Sequence, residues 1–210
     1  MRYIYFYLIT IFLANPSFAD NRSFEDKFKS LQSDWAIARF DTDKQSKLEA
    51  FLKLRTIAIE LVSKHPKRAE SLIWLAVIKN NIAGINADAS SLEIVSESRR
   101  LLERAKKIDP KALNGYAYIA LGGLYYSLPG WPWSFGDNEK AASNLLAALE
   151  ISPNGVDANY FYADYLINTN RSNEAKQYLI KALNAAPQKN RPIADEGRRQ
   201  QARMALNKLQ

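Results

Sequence analysis

The sequence has 210 residues, of which 47% are hydrophobic and 24% are charged. This composition is typical of a globular protein with one hydrophobic core and excludes a mainly disordered chain. The formal net charge is +7, but basic residues alternate with leucines and acidic residues, as in the segment 98–110, which indicates solvated helix faces and argues against a nucleic acid partner.

The first 19 residues have the pattern of a cleaved secretory signal peptide. Arg2 precedes an apolar run over residues 3–14, and small residues stand at Ser17 and Ala19. The run is shorter than the roughly 20 residues that a membrane-spanning helix needs. We therefore expect cleavage after Ala19, a periplasmic location and no transmembrane segment in the mature chain. An uncleaved amino-terminal anchor is the alternative.

Prolines divide the rest of the chain into repeated helical units. From residue 23 onward, apolar residues recur at spacings of three and four, and no segment alternates as a strand would. Four prolines each end an amphipathic segment, with successive separations of 44, 43 and 34 residues: Pro66, Pro110, Pro153 and Pro187. The last separation is the period of a tetratricopeptide repeat (TPR).

A small, large, small pattern precedes three of these prolines at identical spacing. The three sets are Ser98, Leu102 and Ala105; Ala141, Leu145 and Ala148; and Ala175, Leu179 and Ala182. The small residues let two helices approach closely, while the large residue fills the groove between them. In the preceding helices, the TPR positions W-x2-L-G-x2-Y are filled by Tyr118, Leu121, Gly122 and Tyr125. We expect all of these residues to pack between paired helices.

These patterns predict an all-α fold, a TPR-like right-handed superhelix of antiparallel helix pairs with capping helices at both ends. After the leader, we expect amino-terminal helices within residues 20–66, near 23–39 and 44–64, and a capping helix within 188–210. Between them, residues 67–187 form the repeats. Their boundaries are 67–110, 111–153 and 154–187.

Catalytic, cofactor and metal sites have little support in the sequence. There is no cysteine, and the single histidine, His65, stands at a helix end, where a surface cation favoured by the helix dipole explains it. No phosphate-binding, nucleophile-elbow or zinc-protease motif occurs. We therefore expect no enzyme activity, cofactor or metal. A hydrolase using Asp164 or Asp195 is the least favoured hypothesis.

The first helices of the repeats should line a concave face that binds a partner. Four residues of the third repeat lie on one helix face, away from the seam between paired helices: Asp157, Tyr160, Asp164 and Asn168. Their equivalents one repeat earlier are Tyr116, Ile119, Gly123 and Tyr126. They predict a mixed aromatic and acidic groove. The alternative is that these tyrosines only pack against the next helix.

An aromatic loop separates the two helices of the middle repeat. Trp131, Trp133 and Phe135 each offer about 150–250 Å² of surface for burial, and Asp137 is placed to cap the helix that follows. Three fates of the aromatic side chains are open. They fold back over neighbouring helices, they form part of a pocket for a partner or ligand, or they contact a membrane interface.

Two segments resemble a known family. The sequence LPGWP at 128–132, followed by Gly136-Asp137 and an A-x3-L-x2-AL helix, and the segment 191–199, RP-x-AD-x-GRR, resemble exported TPR proteins related to the T component associated with TRAP solute transporters. The resemblance covers about residues 65–205. It implies an all-helical superhelix that binds a partner protein, such as a solute receptor, with passage of a small ligand. The absence of a lipid-attachment cysteine departs from a membrane-tethered form.

The leading functional hypothesis is a periplasmic TPR scaffold that binds a partner protein through its concave face. The nine candidate binding residues are Tyr116, Tyr126, Trp131, Trp133, Phe135, Asp157, Tyr160, Asp164 and Asn168. The alternative is an accessory or carrier protein for a small, partly apolar solute, linked to a TRAP-type transporter.

Overall fold

The computed structural model describes residues 16–88 and 90–209. The described residues fold into helices joined by short connections: α1 (Pro16–Ala36), a π-helical turn (Ile37–Asp41), α2 (Lys47–Lys64), α3 (Ala69–Asn86), α4 (Ser90–Ile108), α5 (Ala112–Ser127), α6 (Asn138–Ile151), α7 (Val156–Asn168), α8 (Ser172–Leu183) and α9 (Pro192–Lys208). No strand occurs among them. Most of the predicted leader, residues 1–15, lies outside the described residues, and its cleavage after Ala19 stays a prediction.

Each predicted repeat contains one helix pair. Helices α3 and α4, α5 and α6, and α7 and α8 pack extensively within their pairs. The first helix α5 also contacts the first helices on either side of it, α3 and α7. The connection between α7 and α8, residues 169–171, is short and forces these two helices to run in opposite directions. The predicted all-α helical-repeat fold is confirmed.

The repeated small and large residues lie between the paired helices, as the spacing predicts. All nine residues of the three small, large, small sets are fully buried. Gly122 on α5 faces Leu145 on α6 so closely that a Cβ atom at residue 122 would lie 2.5 Å from the Leu145 Cγ atom. Glycine is therefore required here by the close approach of two helices.

Two predictions about helix ends have different outcomes. The Asp137 carboxylate accepts hydrogen bonds from the backbone N–H groups of Glu139 and Lys140, both at 3.0 Å, so its predicted role as the cap of α6 is confirmed. His65 does end α2, but its ring packs edge-on against Phe24 of α1, with the ring centroids 4.8 Å apart. The sequence predicts that His65 is a surface cation, but its ring also contacts an aromatic side chain.

The helices expected to cap opposite ends of the stack meet each other. Helix α9 packs on α7 and α8, and it also contacts α1 and the π-helical turn. Gly197 of α9 is buried against Phe40 of that turn, where a Cβ atom would lie 2.4 Å from the ring. The two capping segments therefore pack against each other, and together they cover part of the concave side.

The described helices include none that is both long and apolar enough to span a membrane.

We predict that Gly122→Ala lowers the free energy of unfolding by about 1–3 kcal/mol, because its methyl group would displace the fully buried Leu145. Urea unfolding at neutral pH measures the change.

The matched control is Gly84→Ala on α3, where no atom lies within 4 Å of the new Cβ position. This substitution should leave stability unchanged or raise it by up to about 1 kcal/mol, because alanine has the higher helix propensity. Equal effects of the two substitutions would contradict the close approach of α5 and α6.

Candidate functional site

A cavity of about 930 Å³ occupies the part of the concave side that the terminal segments leave open. Its lining comes from the first helices α3, α5 and α7, from α2 and α4, and from the terminal segments. The buried part of the lining is mainly apolar: Phe51, Val77, Val95, Tyr116, Ile119 and Leu124. Exposed residues at the ends of α3 and α7, including Ile85 and Asn168, mark its mouth.

A buried ionic cluster closes the concave side beside this cavity. Asp157 on α7 accepts hydrogen bonds from two arginines of the α9 segment, with 2.6 Å between its Oδ2 and the Arg191 Nη2 and 2.8 Å between its Oδ1 and the Arg198 Nε. The Arg198 guanidinium also lies over the rings of Phe161, at 4.5 Å, and Tyr160, at 4.8 Å. The carboxylate thus ties α9 to the inner helix of the third repeat.

The arginines determine the protonation of Asp157. Burial alone would raise the pKa of this carboxyl group, but the charges and hydrogen bonds of Arg191 and Arg198 outweigh burial and hold the pKa below its usual value. The same cluster affects a neighbouring tyrosine, because burial, assisted by the Asp157 charge, raises the pKa of Tyr116. Because its pKa is lowered, Asp157 is ionised at neutral pH.

A second polar pair lies in the cavity lining. The Tyr126 hydroxyl on α5 donates a hydrogen bond of 2.5 Å to the Asp164 Oδ2 on α7. Burial, together with the adjacent Asp164 charge, raises the pKa of Tyr126 well above its ordinary value. The tyrosine therefore stays protonated and keeps the carboxylate oriented.

The aromatic loop is held in one closed conformation. The Gly136 N–H donates to the Pro129 carbonyl at 2.9 Å, and the Asp137 N–H donates to the Tyr125 carbonyl at 2.8 Å. A Cβ atom at residue 136 would lie 1.9 Å from the Leu128 carbonyl oxygen, so only glycine fits there. The loop therefore presents its side chains from a fixed backbone.

The three aromatic side chains of this loop have different environments. Phe135 folds back, with its ring 6.0 Å from that of Tyr125 and the Arg99 guanidinium 4.3 Å above it. Trp131 and Trp133 are 88% and 78% exposed. Of the three fates left open, folding back over neighbouring helices therefore applies to Phe135 and not to Trp131 or Trp133. None of the three lines the cavity, although Ser127 and Leu128, at the start of the loop, do.

The predicted groove residues separate into two groups. Tyr116, Tyr126, Asp164 and Asn168 line the cavity. Asp157 is buried beneath α9, and Tyr160 is covered by Arg198, so the expectation that these two face an open groove is wrong because α9 fills it. Their role in partner binding, like that of the other candidates, stays a prediction.

Sequence reasoning missed the cationic residues of the site. Arg39 and Lys47, from the amino-terminal segment, line the cavity together with Arg198 from α9. Arg191 and Arg198 are seven residues apart and so share one helix face, a signal that the sequence did contain. The position of Arg39 depends on the meeting of the two termini, which no local pattern indicates.

The described residues give no support for catalysis by paired carboxylates or a metal. Asp195 is buried outside the cavity lining, where its Oδ2 accepts a hydrogen bond from the Gln188 N–H, so it is not paired with Asp164. No group of three or more potential metal-binding side chains occurs in the part of the chain that the structure describes.

One part of the carboxy-terminal half of the chain is similar to a known repeat family. Residues 133–195, which contain α6, α7 and α8, match the model of the tetratricopeptide repeat family. The crystal structure of TTC0263, a thermophilic TPR protein in Thermus thermophilus, matches with a TM-score of 0.47 and 16% identity, over 88% of this chain and 99% of that chain. No curated protein matches the sequence. The family match agrees with the repeated helix pairs.

We predict that Asp157→Asn lowers the free energy of unfolding at pH 7 by about 3–5 kcal/mol, because Arg198 keeps its buried charge but loses the compensating carboxylate. The pKa of Asp157 is depressed, so its contribution is present above the usual value of about 3.9 and is lost as pH falls further. The difference in stability between the wild type and the variant should therefore narrow as the pH falls below about 3.9. Urea unfolding at several pH values measures both effects.

The matched control is Glu174→Gln, which removes the exposed bidentate pair between Arg171 and Glu174. It should cost less than about 1 kcal/mol, because exposed pairs contribute little. A loss at Asp157 as small as the loss at Glu174 would show that the buried cluster does not hold α9.

Proposed function

We propose that this protein is a periplasmic TPR-type scaffold that binds a partner protein at the mouth of its concave cavity, beside the aromatic loop. The observation that carries the proposal is the exposure of Trp131 and Trp133 on a loop with a fixed backbone. The tetratricopeptide repeat match supports a binding role, because stacked helix pairs present concave surfaces to other proteins.

Two exposed tryptophans on a closed loop suit a binding surface. Tryptophan is among the residues that dominate the energy of protein interfaces, and each ring offers about 150–250 Å² of surface. Because hydrogen bonds already fix the loop, little conformational entropy is lost when a partner covers it.

The size of the cavity limits what can enter it. With α9 covering the inner face around Asp157, the remaining space of about 930 Å³ fits a ligand or a short chain segment, and not a folded domain. A protein partner would therefore contact the mouth and the loop, and would insert at most a short segment. Ser127 and Leu128 connect the two surfaces, since they line the cavity and lead into the loop.

We predict that the double substitution Trp131→Ala and Trp133→Ala removes the partner captured from a periplasmic extract by the tagged protein, while stability changes by less than about 0.5 kcal/mol. Affinity capture followed by mass spectrometry measures the partner, and thermal unfolding measures stability.

A control variant, Ile180→Ala with Met204→Ala, removes apolar side chains that are 47% and 55% exposed on α8 and α9, away from the loop. It should retain the partner. Capture of the same proteins by the wild type and by the tryptophan variant would contradict the proposed surface.

Export is part of the proposal and rests on the leader pattern. We predict that the protein recovered by osmotic shock begins at Asp20, because small residues at Ser17 and Ala19 fit the cleavage pocket. Amino-terminal sequencing of the shock fluid and of the remaining cells measures this. Recovery of the chain only from the cells, with its first residues intact, would rule out cleavage and release.

A second candidate function is a carrier or accessory protein for a small, partly apolar solute. The cavity favours it, because its volume lies within the range of about 300–1,000 Å³ that is usual for small-molecule sites and its buried lining is mainly apolar. The link to a TRAP-type transporter rests only on the resemblance of the loop and of the closing segment.

A further inference from the structure

Two cations that line the cavity have no carboxylate partner among residues 16–88 and 90–209. Arg39 and Lys47 both line the cavity, and no carboxylate oxygen of the described residues lies within 4.0 Å of either charged group. The Lys47 Nζ donates a hydrogen bond of 3.2 Å to the Arg39 carbonyl oxygen, so the two residues belong to one local structure. This part of the lining therefore carries uncompensated positive charge.

The surroundings make that charge unfavourable in the empty cavity. Burial and the nearby positive charge of Arg198 lower the pKa of Arg39, although Tyr160 and Tyr116 partly oppose them. The carboxylate of Asp157, which pairs with Arg198, is already shared with Arg191. An anion placed beside Arg39 would relieve this repulsion in a partly desolvated site.

The π-helical turn fixes the position of Arg39. It is the π-helical segment of the described residues, and such turns are frequent at functional sites. On one side of Arg39, Phe40 packs against Gly197 and also edge-on against Trp35, with the ring centroids of Phe40 and Trp35 5.9 Å apart. The backbone that carries the guanidinium is thus held between α1 and α9.

The rest of the lining restricts the chemistry of the ligand. The buried side chains of Phe51, Val77, Val95 and Ile119 offer an apolar surface. The lining also contains two carboxylates, Asp88 and Asp164, which disfavour a phosphate dianion or a polyanion. A ligand with one negative charge and an apolar body would pair its charge with Arg39 and Lys47 and pack its body against the apolar side chains.

We propose that the cavity binds a small organic monocarboxylate with an apolar body, whose carboxylate contacts Arg39 and Lys47. This inference rests on the second candidate function and assigns its ligand class. The Arg39 guanidinium suits a carboxylate because its planar fork can donate two parallel hydrogen bonds, while Lys47 adds a point charge beside it.

Isothermal titration calorimetry of the full chain with decanoate, and with decan-1-ol as its neutral counterpart, tests the proposal. Decanoate should bind saturably and about tenfold or more tightly than the alcohol. Arg39→Gln should weaken decanoate binding about tenfold, and Lys47→Gln should weaken it less, because an ammonium donates as a single point charge. Neither substitution should change binding of the alcohol, which also reports that the variants are folded.

Arg100→Gln is the matched control, since Arg100 is exposed on α4 and does not line the cavity. It should bind decanoate like the wild type. Equal affinity for decanoate and the alcohol, or no effect of Arg39→Gln, would overturn the carboxylate assignment while leaving an apolar carrier possible. Binding of neither compound to the wild type would overturn both this inference and the carrier function, without bearing on the tryptophan surface.

Discussion

The buried carboxylate of Asp157, shared by Arg191 and Arg198, is the interaction on which the concave side depends. A stack of helix pairs leaves its inner face open to solvent. Here two arginines of the carboxy-terminal segment reach the inner helix of the last repeat and share the carboxylate of Asp157. Because breaking such a pair leaves a buried charge, the helix that carries the arginines is fixed as part of the domain.

The position of α9 determines what remains of the groove. Its Gly197 allows Phe40 to pack closely, which places the amino-terminal π-helical turn over the same face. Arg39 then enters the cavity from one side, while the Tyr126 and Asp164 pair and the apolar side chains of α3 and α5 form other parts of its lining. The cavity is thus built from both ends of the chain and the middle repeats, and the exposed tryptophans lie on a loop that starts at its edge.

The local features of this fold were predictable, because they depend on short-range sequence patterns. The helix pairs, the buried sets such as Ala141, Leu145 and Ala148, and the Asp137 cap follow from spacing and helix-end chemistry. The closure by α9 was not predictable, because a helix with many charged residues is normally a solvated cap. The exposure of Trp131 and Trp133 could not be chosen from the three fates left open, because the sequence does not show the direction in which a loop presents its side chains.

Hydrogen exchange of α9 tests the closure most directly. If the Asp157 cluster holds this helix against the repeats, amides near Arg198 should exchange as slowly as those of α7, because both open only in global unfolding. A terminal helix that merely rests on the last repeat would fray independently. Rapid exchange throughout α9, with α7 still protected, would show that the concave side is open and would contradict this account.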